Sequence, residues 1–324
     1  SLMSGIYDAG LELNEREQFW NGSFPTSFAY QMKQLGYQTI YWYGGNASYG
    51  NFNHFGKAQG FDRVESASIF CGPDAPKTWV GVYDHIFLEN IEQQIKAIDT
   101  PTFHFIYTTS NHSPYKIEDS LLDYDPATVM PHVGEDLRSN KTRNKELATY
   151  RYSDKALFAF VDSMKKAYPD SLFIITGDHS NLFGDLNNTS LIHRDYTLRD
   201  TFCTVALLQH PDLDSNMITT QKGTHMSLMP TIIEVIAPKG FEYYSITPSL
   251  FDDQPETLVT PYQWITDSLM GDVRSDYGES NQPSAEPVPP IRPIDNHAKE
   301  ARDWSLLTTW LINHEEKLFS KKDD

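Results

Sequence analysis

The chain has 324 residues, with 26 Lys and Arg against 44 Asp and Glu and a formal net charge of −18. A surface of that sign repels phosphate backbones and anionic headgroups, so nucleic-acid binding by charge is excluded and any anionic substrate needs a local cation. At 39% hydrophobic and 22% charged residues, the chain can bury roughly three quarters of its unfolded surface, and no run reaches the roughly 18 apolar residues of a membrane span.

Segments of helical length alternate along the chain with short apolar runs rich in β-branched and aromatic residues. The spacing predicts helices over 24–35, 83–98, 144–168 and 226–236, and strands over 38–43, 102–108, 171–176 and 202–208. That alternation is the order of an α/β fold with helices packed on a mostly parallel central sheet. In the third helix Tyr152, Ala156, Phe160 and Met164 recur every four residues, while Asp154, Lys155 and Lys165 point outward. Cys71 and Cys203 stand outside any CxxC or Cys/His spacing. They read as buried small apolar side chains, with one long-range disulfide as the alternative. Residues 1–270 read as one compact unit. Five prolines, Pro283, Pro287, Pro289, Pro290 and Pro293, then predict a Pro-rich surface crossing over 271–296. A closing amphipathic helix over 297–324 carries Trp304, Leu307, Trp310, Leu311 and Leu318 in one apolar stripe. It is expected to dock on the main body with both Trp in the core.

The chemistry concentrates where strands end. The run Leu172-Phe173-Ile174-Ile175-Thr176 leads into Gly177-Asp178-His179, which places a carboxylate and an imidazole at the carboxyl end of a strand, where open α/β sheets bind ligands. A hard oxygen beside a borderline nitrogen suits Mn²⁺, Zn²⁺ or a related divalent ion, and Gly177 permits the backbone turn that lets both reach it. The strand before Thr109-Ser110-Asn111-His112 delivers His112 to the same kind of edge, as a donor to a phosphoryl oxygen or an acid for a leaving group. Gly44-Gly45-Asn46 follows a third strand; an anion cradle and a plain glycine turn are its two readings, and the turn is preferred. His193-Arg194-Asp195 offers a cation beside a carboxylate, with an exposed ion pair on a loop as the equal alternative, and His225 stands at a helix start as a further ligand or anion donor. His54 lies in a polar loop with no assigned role. A GxSxG elbow and a P-loop are both absent from the sequence.

The ordered motifs GYQTIYWYGGN, GFDRV, PTFHFIYTTSNHSPY, YRYSDKALFAFVDSMKKAYPDSLFIITGDHS and HMSLMPTIIEVI resemble the lipoteichoic acid synthase-type phosphoglycerol transferases, in the sulfatase branch of the alkaline phosphatase superfamily. The resemblance implies a sulfatase-like α/β sandwich on the extracytoplasmic face of a bacterial membrane. It implies transfer of a phosphoglycerol group from a lipid donor to an envelope glycan or glycolipid, through a covalent threonine and with one divalent ion, typically Mn. By that resemblance Asp178 and His179 ligate the metal and His112 contacts the substrate phosphate; Asn46, His193, Arg194 and His225 are expected, from their positions in the sequence alone, to line the site. The family's acidic ligand, threonine nucleophile and first sheet strand precede the aligned region. The chain is therefore expected to be truncated at its start, to hold no nucleophile of its own, to leave an apolar gap in the sheet and to belong to a membrane-anchored protein. Residues 47–54 lack the Trp and Arg with which lipoteichoic acid synthases hold glycerol phosphate, and Ser227 stands where relatives often have Asp. The alternatives are a sulfatase or phosphodiesterase-type hydrolase of the same superfamily and a noncatalytic extracytoplasmic binding module.

Overall fold

The computed structural model describes residues 1–8, 10–125, 127, 139–180, 197–214, 216, 222–260, 262–274, 278–280 and 295–314. In chain order the helices are α1 (Phe28–Gln34), α2 (Phe52–Ala58), α3 (Ala67–Phe70), α4 (Asp84–Ile95), α5 (Lys141–Ala167), α6 (Leu198–Phe202), α7 (His225–Ile236) and α8 (Asp295–Ile312). The strands are β1 (Gln38–Tyr43), β2 (Arg63–Ser66), β3 (Thr102–Tyr107), β4 (Phe173–Thr176), β5 (Ala206–Gln209), β6 (Leu258–Val259), β7 (Gln263–Ile265), β8 (Leu269–Asp272) and β9 (Gly278–Ser280).

The main sheet is parallel, in the order β2-β1-β3. Its central strand is buried from Thr39 to Tyr43, and apolar or aromatic from Ile40, because both faces are covered. Ile40 and Trp42 pack with Phe87, Ile91 and Phe160 on the α4/α5 side. Tyr41 and Tyr43 pack with Phe19, Phe24 and Phe55 on the other, as the two-residue period of a strand requires. The expected fold class holds in this α/β layering. The α5 helix starts where the Asn140 side chain accepts from Arg143 N at 3.1 Å, and it buries Tyr152, Phe160 and Met164 of the expected stripe.

The second half of the sheet departs from a parallel pattern, since β4 and β5 pair antiparallel. Among the described residues no ladder joins this ribbon to β3, and both sheets pack under the same covering layers. Phe173 and Ile175 meet the α4/α5 layer, and Ile174 meets Phe28 and Ile232 of α1 and α7. The strand expected over 202–208 starts later, at Ala206. A capping box between Thr197 and Asp200 nucleates a helical turn that carries Phe202 into α6.

A four-stranded antiparallel sheet, β6-β7-β8-β9, closes the described chain. Its β8 spans the boundary expected at residue 271, and β9 lies inside the expected surface crossing, whose residues 281–294 fall outside the described ones. The last helix docks on this sheet by its small residues. Ala298 and Ala301 are fully buried, and Ala301 packs with Val259 and Trp264. The Trp stripe faces outward instead, with Trp304 39%, Leu307 45% and Trp310 44% exposed. Alanine permits the closer helix–sheet approach, and at the end of the helix the fully buried Ile312 joins the core beside Tyr41 and Tyr43. Leu318 lies outside the described residues. Both cysteines are free thiols, and burial pushes the Cys71 thiol up to about 11.

Candidate functional site

The end of β4 presents the first half of the site. A Cβ on Gly177 would stand 2.5 Å from Thr204 Oγ1, so this glycine serves close approach of the segment that leads into β5 rather than a left-handed turn. Asp178 accepts at both carboxylate oxygens: Oδ1 from His179 N at 3.0 Å and Oδ2 from the Tyr107 hydroxyl at 2.8 Å. His179 Nδ1 lies 2.8 Å from the Ser180 carbonyl. A carbonyl can only accept, so Nδ1 carries a proton, and in the neutral ring Nε2 keeps its lone pair. That lone pair sits 3.6 Å from Asp178 Oδ2 on side chains that are 77% and 44% exposed. An imidazole with one nitrogen held by a carbonyl and the other open is the state in which histidine binds a cation.

The end of β3 presents the second half. His112 Nδ1 donates to the Ser113 carbonyl at 2.7 Å, leaving Nε2 open. The Trp79 indole N–H donates to the same carbonyl at 3.0 Å and packs edge-on against His112, ring centroids 5.2 Å apart. Asp84 anchors the segment from below. Its Oδ1 accepts from Thr109 N and Ser110 N, both at 3.1 Å, and its Oδ2 accepts from the Ser153 hydroxyl at 3.0 Å. Asp84 N in turn donates to Ser110 Oγ at 2.9 Å. Burial at 1% exposure raises the Asp84 pKa, against the pull of the bonds that its carboxylate accepts from Thr109, Ser110 and Ser153. His112 N then bonds back to Thr109 O at 3.2 Å, so the loop is referred to α4 and α5 through one carboxylate.

The remaining candidates separate from this pair of strand ends. Half-buried His225 donates from Nε2 to Gly177 O at 2.8 Å, and burial lowers its pKa. It supports the turn before Asp178 and does not present that nitrogen as a ligand. Asn46 Oδ1 accepts from Ser48 N at 3.0 Å and caps its own turn. Gly44 N donates to Tyr107 O at 2.8 Å and its carbonyl accepts from Val82 N at 2.9 Å. Gly45 forms an isolated antiparallel bridge with Gly81. His54 stacks on Trp20 at 4.8 Å. His193 and Arg194 lie outside the described residues. Three further residues belong to the arrangement although nothing in the motifs singled them out: Tyr107, Asp84 and Trp79. Tyr107 ends a strand and reads as core, and Asp84 reads as an ordinary acid in a first helical turn.

Asp178, His179, His112, Tyr107 and Trp79 line one cavity of about 1870 Å³. The donor chemistry of Asp178 and His179 suits a borderline divalent ion, and the tautomer of His179 is the required one. They fill two corners of a coordination shell. Among the described residues no group of three His, Cys, Asp or Glu side chains could hold a metal, so the fit is partial.

A family model described as Sulfatase matches residues 2–237. The chain is 23% identical over 231 residues to the lipoteichoic acid synthase-like protein YvgJ of Bacillus subtilis (strain 168), covering 70% of this chain and 31% of that protein. It thus spans about a third of the length of that curated relative. Among solved structures it resembles an alkaline phosphatase superfamily protein from Vibrio parahaemolyticus (TM-score 0.71, 20% identity, 99% of this chain and 76% of that one). It also resembles the lipoteichoic acid synthase LtaP from Listeria monocytogenes (TM-score 0.73, 16% identity, 98% and 80%). At those identities the structures establish the alkaline phosphatase-like fold. Among the described residues no helix is long and apolar enough to cross a membrane.

Proposed function

The chain belongs to the Sulfatase family, and from that premise we propose that it lies within a metal-dependent transferase. In this reading the protein moves a phosphoglycerol or related phospho group from a lipid-linked donor to an envelope glycan or glycolipid, on the extracytoplasmic face of a bacterial membrane. Enzymes of the superfamily are metal-dependent, and Mn²⁺ is the ion proposed here. The observation that carries the reading is the paired presentation of Asp178 Oδ2 and the His179 Nε2 lone pair, 3.6 Å apart at a strand end.

In this reading Asp178 and His179 hold the ion, which when bound neutralises phosphoryl charge. His112 Nε2 is the open atom on the other strand end. In its protonated form it donates to a phosphoryl oxygen and adds positive charge; in its neutral form it takes a proton. His225 keeps the Gly177 turn in place, and Tyr107 orients the Asp178 carboxylate. The covalent threonine is proposed to come from outside residues 1–324.

Two measurements test this reading. Mn²⁺ titrated into the chain by calorimetry should bind weakly, and Asp178→Ala or His179→Ala should abolish that binding. In the full protein, phosphatidylglycerol labelled in its headgroup is offered with a glycolipid acceptor. Label on the acceptor supports transfer. Release of free glycerol phosphate without acceptor labelling supports the second reading, a hydrolase, which the Sulfatase match itself favours. Binding unchanged in both alanine variants rejects the site.

A further inference from the structure

Residues 77–82 form a narrow turn that carries an aromatic side chain at its tip. Lys77 and Val82 make an isolated antiparallel bridge, and Gly81 makes another with Gly45. Across the turn Thr78 N donates to Gly81 O at 2.8 Å, and Thr78 Oγ1 accepts from Val80 N at 3.2 Å and from Gly81 N at 3.3 Å. Trp79 sits between these bonds and is 63% exposed. An exposed indole ordinarily samples several rotamers. This one is fixed, because its N–H donates to Ser113 O at 3.0 Å and its ring meets His112 edge-on with centroids 5.2 Å apart. Solvent therefore meets a large apolar surface already held in place, and a ligand that covers it loses little side-chain entropy.

The surroundings select the ligand. Trp79 and His112 line one cavity with Tyr49, which is 67% exposed. Among the described residues that lining includes Asp8, Asp84, Asp154, Asp170 and Asp178 against a single Arg and no Lys. The Arg is Arg151, whose Nε donates to the Asp123 carbonyl at 2.9 Å. A nucleotide or a polyanionic glycan meets negative charge here beyond the reacting phosphoryl group. A quaternary ammonium group takes a cage of several aromatic faces, whereas the ring neighbour of Trp79 among the described residues is the His112 imidazole. An acyl chain gains from a continuous apolar groove, and the groups that touch this indole, the Ser113 carbonyl and His112, are polar. A neutral pyranose suits all of these. One side of its ring presents C–H groups to an indole, its rim of hydroxyls needs polar partners, and His112 Nε2 stands open beside Trp79.

We propose that Trp79 is the stacking platform of a subsite for an uncharged pyranose ring, the first sugar of the acceptor, seated so that its rim hydroxyls reach His112 Nε2. The role of the subsite rests on the transfer reading, while the sugar contact itself requires neither the ion nor the donor.

Fluorine NMR of the 324-residue chain labelled with 5-fluorotryptophan tests it, the Trp79 resonance being the one missing from Trp79→Phe. Methyl β-D-glucopyranoside and methyl β-D-galactopyranoside should shift that resonance with a Kd on the order of 10 mM and leave those of Trp304 and Trp310 in place. Glycerol, a polyol without an apolar ring face, should shift none of them. In saturation-transfer measurements on the pyranosides, Trp79→Ala should weaken binding about tenfold and Trp79→Tyr, which keeps an aromatic face, should weaken it less. No shift at Trp79, equal shifts at Trp79, Trp304 and Trp310, or equal binding by Trp79→Ala would overturn the inference. Dihexanoylphosphatidylglycerol monomers that shift Trp79 where neither pyranoside does would assign the platform to the donor and overturn it equally. The shift should persist in Asp178→Ala, so a missing ion site and a missing sugar subsite are read apart: Mn²⁺ bound without a sugar shift sinks the subsite alone, and a sugar shift without Mn²⁺ binding sinks the ion site alone.

Discussion

The Tyr107 hydroxyl donates to Asp178 Oδ2 at 2.8 Å, and this bond ties the last residue of β3 to the turn after β4. Burial, followed by the Asp178 charge, raises the Tyr107 pKa above the ordinary tyrosine range, so the phenol keeps its proton and remains a donor at neutral pH. It fixes the rotation of the carboxylate whose second oxygen is already held by His179 N.

Tyr107→Phe keeps the ring, which packs 5.6 Å from Tyr43, and removes only the donor. Mn²⁺ affinity should fall about tenfold, as for loss of a partner that orients a metal ligand. Stability should fall by about 1 kcal/mol. Calorimetric titration and urea unfolding measure the two, and unaltered affinity would show that Tyr107 does not orient the carboxylate.

Replacing Asp84 should act on stability first. Asp84→Ala leaves Thr109 N, Ser110 N and the Ser153 hydroxyl without their acceptor, a loss of about 3 kcal/mol. Asp84→Asn, which keeps one acceptor oxygen, should cost less. Amide exchange at Thr109 and Ser110 should accelerate in both variants. A stable Asp84→Ala protein with those amides still protected would mean the loop is held elsewhere.

His104 should give the protein an acid limb. Burial first, and the Arg63 guanidinium second, lower its pKa from 6.5 to about 4, and Trp42 Nε1 donates to Nδ1 at 3.1 Å, which requires the neutral ring. The unfolded chain takes up the proton first, so the stabilisation is complete above pH 6.5 and is lost as pH falls toward about 4. For this partly exposed ring we expect about 2 kcal/mol over that range. His104→Gln should flatten that stretch of the stability–pH curve, and an unchanged slope would assign it to other groups.

Two glycine substitutions separate clash from backbone preference. A Cβ on Gly81 would stand 2.3 Å from Gly44 O and 2.4 Å from Thr109 Oγ1, so Gly81→Ala must push neighbouring main-chain segments apart at a cost of about 3 kcal/mol. Gly72 has φ +88° and nothing within 4 Å, so Gly72→Ala meets only the left-handed penalty of about 1 kcal/mol. Equal midpoints in urea for the two variants would contradict the packing described.

How far the sequence could be read follows from how each signal is made. The β1 strand was legible because burial on both faces leaves the apolar and aromatic run Ile40 to Tyr43, and α5 because its stripe is long. Asp178 and His179 were legible because charged groups after such a run stand out. Tyr107 and Asp84 were not: an aromatic in a strand and an acid in a first helical turn are ordinary, and their partners lie 71 and 25 residues away. The strands of the small sheet, two to four residues each, are too short to show a period. Hydropathy pointed to the wrong face of α8, because the fully buried Trp264 side chain is met there by Ala301.

The three imidazoles around the strand ends each give one nitrogen to a main-chain oxygen, at Ser113, Ser180 and Gly177. Which ring atom is presented is thus dictated by the path of the polypeptide and not by the neighbouring side chains. The side chains at 113 and 180 can drift over evolutionary time while His112 and His179 go on showing the same face, so homologues can diverge around the pair without retuning it.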